Sequence, residues 1–116
     1  MRSPQGDNAI RELTYAGKTF VVRVDNGVVF RNTYAADVTT LRYETVDGPT
    51  EGSEETVTLH TAEVAPGLFM LGWAERSGMT VTHVMNLNAL TVHAFWTYET
   101  ADGPVAELHI GTLEPV

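Results

Sequence analysis

The sequence predicts an all-β domain: about eight antiparallel strands in up-and-down order, closed into a barrel. Apolar and polar residues alternate along most of the chain, which is typical of strands with one buried face. Turn signals rich in glycine, asparagine and proline recur at short intervals, and no long segment has helical periodicity. Eight strands is also about the number at which a barrel closes around side chains or one small ligand.

Length and composition are those of one globular domain. The chain has 116 residues, of which 43% are hydrophobic and 19% charged, so a disordered chain is excluded. There is no cysteine, which excludes disulfides and thiolate metal sites. We expect an N-terminal segment at residues 1–16, followed by a single barrel domain at residues 17–116.

The net charge of the chain limits the classes of partner that we expect. The net charge is −8, with only seven lysines and arginines and no basic cluster, so we expect neither nucleic acid nor an anionic membrane surface as a partner. No apolar run approaches the roughly 18 residues of a membrane span, and the N-terminus lacks the apolar core of a signal peptide. We therefore expect a cytoplasmic protein.

The N-terminal elements follow from local signals. A cap at Asp7 or Asn8 predicts a short helix that Gly17 ends. The period changes to two at Lys18, where the first strand begins. The pair Asn26-Gly27 then predicts a hairpin with a type I′ turn.

Seven further strands are predicted from the same alternation. They are expected at residues 28–34, 39–46, 55–64, 68–75, 79–87, 91–98 and 105–113. The segment 68–75 is apolar on both faces, so alternation does not decide which face is interior. The alternative architecture is an open sandwich of two four-stranded sheets, which the short connections disfavour because Greek-key sandwiches need long crossovers.

The interior is predicted by placing the more apolar face of each strand inward. Apolar alternation selects Phe20, Val22, Phe30, Tyr34, Leu41, Tyr43, Val57, Leu59, Val81, Met85, Val92, Trp96, Leu108 and Ile110, and the same faces carry Asn32, Thr61, Glu63, His83 and Tyr98. An apolar pocket with a few convergent polar groups is typical of a small-ligand site. We expect the ligand-binding residues to be Phe30, Asn32, Tyr34, Tyr43, Trp73, Met85, Trp96 and Tyr98.

Candidate catalytic residues are His83, Tyr43 and Glu63. His83 lies between Val81 and Met85 on an apolar face, where it could act as a general acid or base, or be a buried structural histidine. Glu63 could pair with His83 or be a solvated strand end. No histidine spacing suits a metal site and no glycine-rich phosphate loop is present, so we expect neither a metal nor a cofactor.

Three segments resemble a known family. They are Gly17-Lys18-Thr19-Phe20, the run APGLFMLGWAE at residues 65–75, and VTHVMNL at residues 81–87. Together they are similar to the MoaF-like family of small lipocalin-like (calycin) β-barrels, over roughly residues 17–98. The resemblance implies an eight-stranded barrel with a small-molecule cavity, and it implies no single reaction.

Three functions are compatible with this sequence. The first is binding of a small apolar or aromatic molecule inside the barrel. The second is a cofactor-independent lyase, isomerase or cyclase that acts on a small aromatic or polyketide-like substrate through His83 with Tyr34, Tyr43 or Glu63. The third is a packed barrel without a cavity that acts by dimerisation or partner binding. We also expect a homodimer formed through the second apolar face of segment 68–75.

Overall fold

The computed structural model describes residues 15–116 as one antiparallel sheet of nine strands that curls into a nearly closed barrel. The strands are β1 (Thr19–Val24), β2 (Val29–Tyr34), β3 (Thr40–Asp47), β4 (Glu54–Thr58), β5 (His60–Ala65), β6 (Leu68–Ala74), β7 (Thr80–Asn86), β8 (Thr91–Thr100) and β9 (Gly103–Pro115). Their order is β4-β3-β2-β1-β9-β8-β7-β6-β5. The predicted all-β, up-and-down barrel is confirmed, with one strand more than expected.

The segment before the barrel is described only from Tyr15 onward. The helix predicted after Asp7 or Asn8 lies outside the described residues, and the division at residues 16 and 17 stays a prediction. Among residues 15–116 there is no helix long and apolar enough to cross a bilayer.

The barrel closes at Leu59, where the strand predicted at residues 55–64 is divided in two. Its first half, β4, pairs with β3, and its second half, β5, pairs with β6. The backbone N–H of Leu59 itself donates to the carbonyl of Thr39, 2.9 Å away. One bent strand therefore supplies both edges of the sheet, and β4 also approaches β6. Closure of this kind leaves no long unpaired edge.

Alternation along each strand selects the interior. The buried apolar residues come from alternate positions: Phe20, Val22, Val24, Tyr34, Leu41, Val57, Phe69, Leu71, Trp73, Val81, Met85, Val92, Ala94 and Leu113. In β6 the choice left open by the sequence is settled by burial. Leu71 is 0% exposed and Met70 is 51% exposed, so Phe69, Leu71 and Trp73 face inward.

The predicted interior is wrong in β9. Leu108 and Ile110 are 64% and 52% exposed, whereas Gly111 and Leu113 are buried. The strand is longer than predicted because it pairs with β8 from Gly103 to Thr112 and with β1 from Gly111 to Pro115. Gly111 is required there, since a Cβ at this position would lie 2.7 Å from the carbonyl oxygen of Arg23. Because β9 approaches β1 closely at Gly111, the inward face of β9 is the one that carries Gly111 and Leu113.

The first hairpin also differs from its prediction. A type I′ turn needs positive φ at both central residues. Within residues 15–116, Val38 and Leu90 are the non-glycine residues with positive φ, so Asn26 does not meet this requirement, whereas Gly27 has φ 91°. The Val24 N–H donates to the Val28 carbonyl at 3.0 Å, which encloses a three-residue loop. A three-residue loop with glycine in the left-handed region is the next most common hairpin after the two-residue forms.

One end of the barrel is closed by aromatic packing. The Tyr15 ring contacts Tyr34 and Phe69 edge-on, with ring centroids 5.1 and 5.0 Å apart. Its hydroxyl hydrogen-bonds Thr61 Oγ1 at 2.7 Å, and Tyr34 also contacts Phe20. These rings fill the barrel at this end, which leaves the opposite end as the place for a cavity.

An apolar patch covers part of the outer surface. Met70 pairs with Val84, and Phe95 pairs with Leu108, so their outward side chains form neighbouring pairs across β6 to β9. All four are exposed. The homodimer expected through the outer face of segment 68–75 stays a prediction.

Candidate functional site

The open end of the barrel contains a cavity of about 370 Å³. Two loops form its mouth, at residues 48–53 and 75–79, and we call them the mouth loops. The cavity is lined by Val28, Phe30, Asn32, Tyr43, Thr45, Pro49, Thr50, Ser53, Trp73, Glu75, Ser77, Met79, Val81, His83 and Trp96. Most of this surface is apolar or aromatic, and the polar groups within it are few.

Two polar side chains in the cavity wall each bury one atom that lacks a hydrogen-bond partner. Asn32 is 3% exposed and His83 is 5% exposed. Among residues 15–116, neither Asn32 Oδ1 nor His83 Nδ1 has a partner. Each residue lies farther from the mouth loops than the other lining residues of its own strand, so these two atoms mark the inner part of the cavity. Buried polar atoms in proteins nearly always have partners, so this pair requires an explanation.

His83 is held as a neutral imidazole. It lies on β7 opposite Leu71 and Ala94, and its ring contacts Trp73 edge-on with centroids 4.8 Å apart. This apolar burial lowers the pKa of His83 to about 4, because the charged form would lose its hydration. At neutral pH the imidazole therefore carries one donor and one acceptor.

Two carboxylates, Glu55 and Glu75, lie near the Tyr43 hydroxyl at the mouth of the cavity. The Tyr43 hydroxyl donates to Glu55 Oε1 at 3.0 Å, and the Arg76 backbone N–H donates to Glu55 Oε2 at 2.9 Å. The Trp73 indole donates to Glu75 Oε2 at 3.1 Å. Burial raises the pKa of Glu75, opposed by the hydrogen bonds of Trp73 and Tyr43 and reinforced by the nearby charge of Glu55. Burial likewise raises the pKa of Tyr43, and both carboxylates add to the effect.

Aromatic rings form a continuous wall beside these groups. Phe30 contacts Tyr43 and Trp96 edge-on, with ring centroids 6.4 and 6.3 Å apart. Both tryptophans of the chain, Trp73 and Trp96, line the cavity. Any molecule that enters the cavity must therefore contact at least part of this wall.

The structure brings together some of the predicted site residues and separates others. Phe30, Asn32, Tyr43, Trp73, His83 and Trp96 all line the cavity. Tyr34 and Met85 are buried in the filled half of the barrel. Glu63 pairs with Phe69 at the closed end, where its carboxylate accepts from the Gly67 N–H at 3.2 Å. Tyr98 pairs with Val105 in the β8–β9 hairpin and donates to Glu107.

Glu55 and Glu75 belong to the site but are absent from the predicted site residues. The signal for Glu55 was its position two residues before Val57, which puts both on the face that was placed inward. Glu75 shares a face with Trp73, but the two apolar faces of that segment left its direction undecided. The positions of both carboxylates became clear only from side-chain contacts, Glu55 with Tyr43 on the neighbouring strand and Glu75 with Trp73.

A second polar cluster supports the cavity wall from the β8–β9 hairpin. His109 lies between two carboxylates, with Nδ1 2.7 Å from Asp25 Oδ1 and Nε2 2.7 Å from Glu107 Oε1. Its side chain is 15% exposed, and its ring lies against Trp96 with centroids 4.3 Å apart. Glu107, then Asp25, raise the pKa of His109. The cluster thus joins the first hairpin to the strand that carries Trp96.

We expect this cluster to stabilise the protein in a limited pH range. The folded pKa of His109 exceeds its unfolded value, so its contribution is complete below about pH 6.5 and is lost as the pH rises through the folded pKa. His109→Gln should therefore lower the melting temperature more at pH 6 than at pH 9. Thermal unfolding at both pH values tests this, with exposed His93→Gln as the control; an equal decrease at both would contradict it.

The fold and the cavity define a small antiparallel β-barrel that is filled at one end and open to an aromatic-walled cavity at the other. The chain belongs to the MoaF-like family, whose family model matches residues 16–110. No curated protein is significantly similar to it in sequence.

A solved structure shares the whole fold. It is the crystal structure of a protein from Burkholderia vietnamiensis, described as a candidate beta-lactamase. It is 30% identical to this chain with a TM-score of 0.80, and the match covers 100% of both chains. The similarity therefore extends over the barrel and both of its ends.

Proposed function

We propose that the protein binds a small, predominantly apolar or aromatic molecule that carries a polar group, within the cavity at the open end. The observation that carries this proposal is the pair of buried, unpartnered atoms Asn32 Oδ1 and His83 Nδ1 on one apolar cavity wall. A ligand hydroxyl or N–H could satisfy either atom, while its hydrocarbon part covers the aromatic wall.

The energetics favour a ligand over a purely structural role for these two residues. A buried polar atom without a partner costs about 1–3 kcal/mol. A residue that served packing alone would be less costly as leucine or valine, the residue types that fill the neighbouring buried positions Leu71 and Val81. A ligand that supplies the missing hydrogen bonds would remove this cost upon binding.

The size of the cavity limits the ligand. Its volume of about 370 Å³ is at the lower end of the roughly 300–1,000 Å³ typical of small-molecule sites. A molecule of one or two rings suits this volume. The mouth loops give it a route from solvent, since Pro49, Thr50 and Ser77 are exposed and also line the cavity.

Acid–base catalysis on such a molecule is the second candidate, favoured by the position of His83 in the cavity. General catalysis is most effective when the pKa of the group lies near the working pH. Burial lowers the pKa of His83 to about 4, which makes the imidazole a weak base at neutral pH. Tyr43 lines the same cavity, whereas Glu63 lies at the closed end. We therefore place binding before catalysis.

The described residues do not favour β-lactam hydrolysis, the activity suggested by the description of the structural neighbour. Ser53 and Ser77 line the cavity, but the Ser53 hydroxyl donates to the Thr50 carbonyl at 2.7 Å and Ser77 Oγ accepts from the Met79 N–H at 3.3 Å. No lysine lines the cavity to activate either hydroxyl. Across residues 15–116, no three histidine, aspartate or glutamate side chains are grouped as metal ligands.

Tryptophan emission offers a direct test of binding because Trp73 and Trp96 are the two tryptophans of the chain. We expect 4-tert-butylphenol to change this emission saturably and to raise the melting temperature. The phenol should bind about fivefold more tightly than tert-butylbenzene, because its hydroxyl can reach one of the unpartnered atoms and one such hydrogen bond is worth about 1 kcal/mol.

The control is the double variant Asn32→Leu, His83→Leu. Here the two probes should bind with similar affinities, since the polar atoms have been removed and the aromatic wall remains. If neither probe alters the emission or the melting temperature of the wild type, the cavity is not a binding site for such molecules and the proposal is wrong.

A further inference from the structure

We propose that the ligand is an organic cation, a protonated or quaternary amine attached to an apolar body, with its positive charge held at the mouth between Glu75 and the rings of Tyr43 and Trp73. This inference rests on the proposed function and deepens it by assigning the charge of the ligand. It is carried by the kinds of groups that line the cavity and by the way they are arranged.

Among residues 15–116, the cavity is lined by a carboxylate and by no lysine or arginine. The carboxylate is that of Glu75. Arg76 follows Glu75 in sequence, but its side chain is exposed and its backbone N–H donates to Glu55. His83 is neutral at physiological pH because burial lowers its pKa to about 4. An anionic ligand would therefore find no counter-charge among the cavity-lining side chains of residues 15–116, whereas a cation would find Glu75.

Glu75 has a second carboxylate beside it. Tyr43 lies near both, since its hydroxyl donates to Glu55 Oε1 at 3.0 Å and both carboxylates raise its pKa. Two carboxylates at the edge of an apolar cavity repel each other, and burial of one of them adds to this cost. A positive charge at the mouth would relieve both effects, which explains why the wall tolerates this arrangement.

The aromatic rings supply the rest of a cation site. Phe30, Tyr43, Trp73 and Trp96 all line the cavity. Cations bind to the faces of such rings, most strongly to tryptophan, and aromatic cages of this composition are used to bind quaternary ammonium groups. Trp73 is also fixed in place because its indole donates to Glu75 at 3.1 Å, so the ring and the counter-charge are held together.

The unpartnered atoms in the inner part of the cavity are consistent with the same ligand class. Asn32 Oδ1 is an acceptor, and His83 Nδ1 can accept or donate. A hydroxyl or N–H on the apolar body of the ligand could therefore donate to either atom. The net charge of −8 on the whole chain would also attract cations from solution.

Two isosteric probes test the assignment of charge. Phenyltrimethylammonium and tert-butylbenzene have nearly the same shape and differ by one positive charge. We expect the cation to bind the wild type about tenfold more tightly than the hydrocarbon, as a cation–π contact and a partly buried carboxylate together imply. Calorimetric titration and tryptophan emission measure both affinities. Glu75→Gln should reduce the affinity for the cation about tenfold and leave that for tert-butylbenzene within about twofold.

The control removes the same charge from an outward position. Glu54 is exposed on β4 and pairs with Arg42 at 2.6 Å, so Glu54→Gln should leave the preference for the cation unchanged. If tert-butylbenzene binds as tightly as the cation, or if Glu75→Gln leaves their ratio unaltered, the assignment is wrong while the proposed function stands. If none of the probes binds, including 4-tert-butylphenol, both proposals are overturned.

Discussion

Lowering the pH from 7.5 to 5 should destabilise the wild-type protein by about 2 kcal/mol more than a His83→Leu variant. The pKa of His83 is about 4 in the folded protein, against about 6.5 for an exposed histidine. Between these values the unfolded chain binds a proton that the folded protein does not. Stability is therefore complete above about pH 6.5 and falls as the pH decreases toward 4, because the buried imidazole resists protonation.

Urea unfolding at the two pH values measures the difference directly. His93 on β8 is exposed, so His93→Gln should lose as much stability on acidification as the wild type. His83→Leu should also be at least as stable as the wild type at pH 7.5, since it removes an unpartnered buried atom. Parallel losses in the wild type and in His83→Leu would show that the imidazole is protonated in place, which would contradict the burial described above.

Leu71→Ala should reduce the free energy of unfolding by about 3 kcal/mol, within the roughly 2–5 kcal/mol observed for such changes. Leu71 is 0% exposed in β6 and pairs with Thr61 on one side and His83 on the other. Truncation removes buried hydrocarbon and leaves a cavity that a closed barrel cannot collapse to fill.

Met70 is the matched control because it is the preceding residue on the same strand and faces outward. Met70→Ala should change the free energy of unfolding by less than about 0.5 kcal/mol, as expected for an exposed position. Urea unfolding of both variants at pH 7.5 tests the assignment of the two faces. A larger loss for Met70→Ala than for Leu71→Ala would reverse the assigned faces of β6. A large loss for both would indicate that the outer face is covered, as the predicted homodimer requires.

The strands and much of the cavity wall could be predicted from sequence because the alternation of apolar and polar residues is visible within each strand's own sequence. Alternation placed Asn32 and His83 on the same faces as Phe30 and Val81, and those residues line one cavity in the structure. Parity fails where both faces are apolar, as in β6, and where the apolar face is the exposed one, as for Leu108 and Ile110 in β9. Hydrophobicity predicts burial only where exposed apolar residues are rare, and this barrel has an apolar outer patch.

The sequence by itself determined the all-β class, the up-and-down order and the family, since these depend on local alternation, short turns and motifs. Only the tertiary structure decided how the barrel closes and which end is open. Closure requires one strand to be divided at Leu59 between two hairpins, and it requires β1 to pair with the distant strand β9; neither is encoded in local periodicity. The register within neighbouring hairpins brings Glu55 beside Tyr43 and separates Glu63 from His83. Glu55 and Glu63 occur in similar alternating segments, but they have different surroundings because they lie at opposite ends of the barrel.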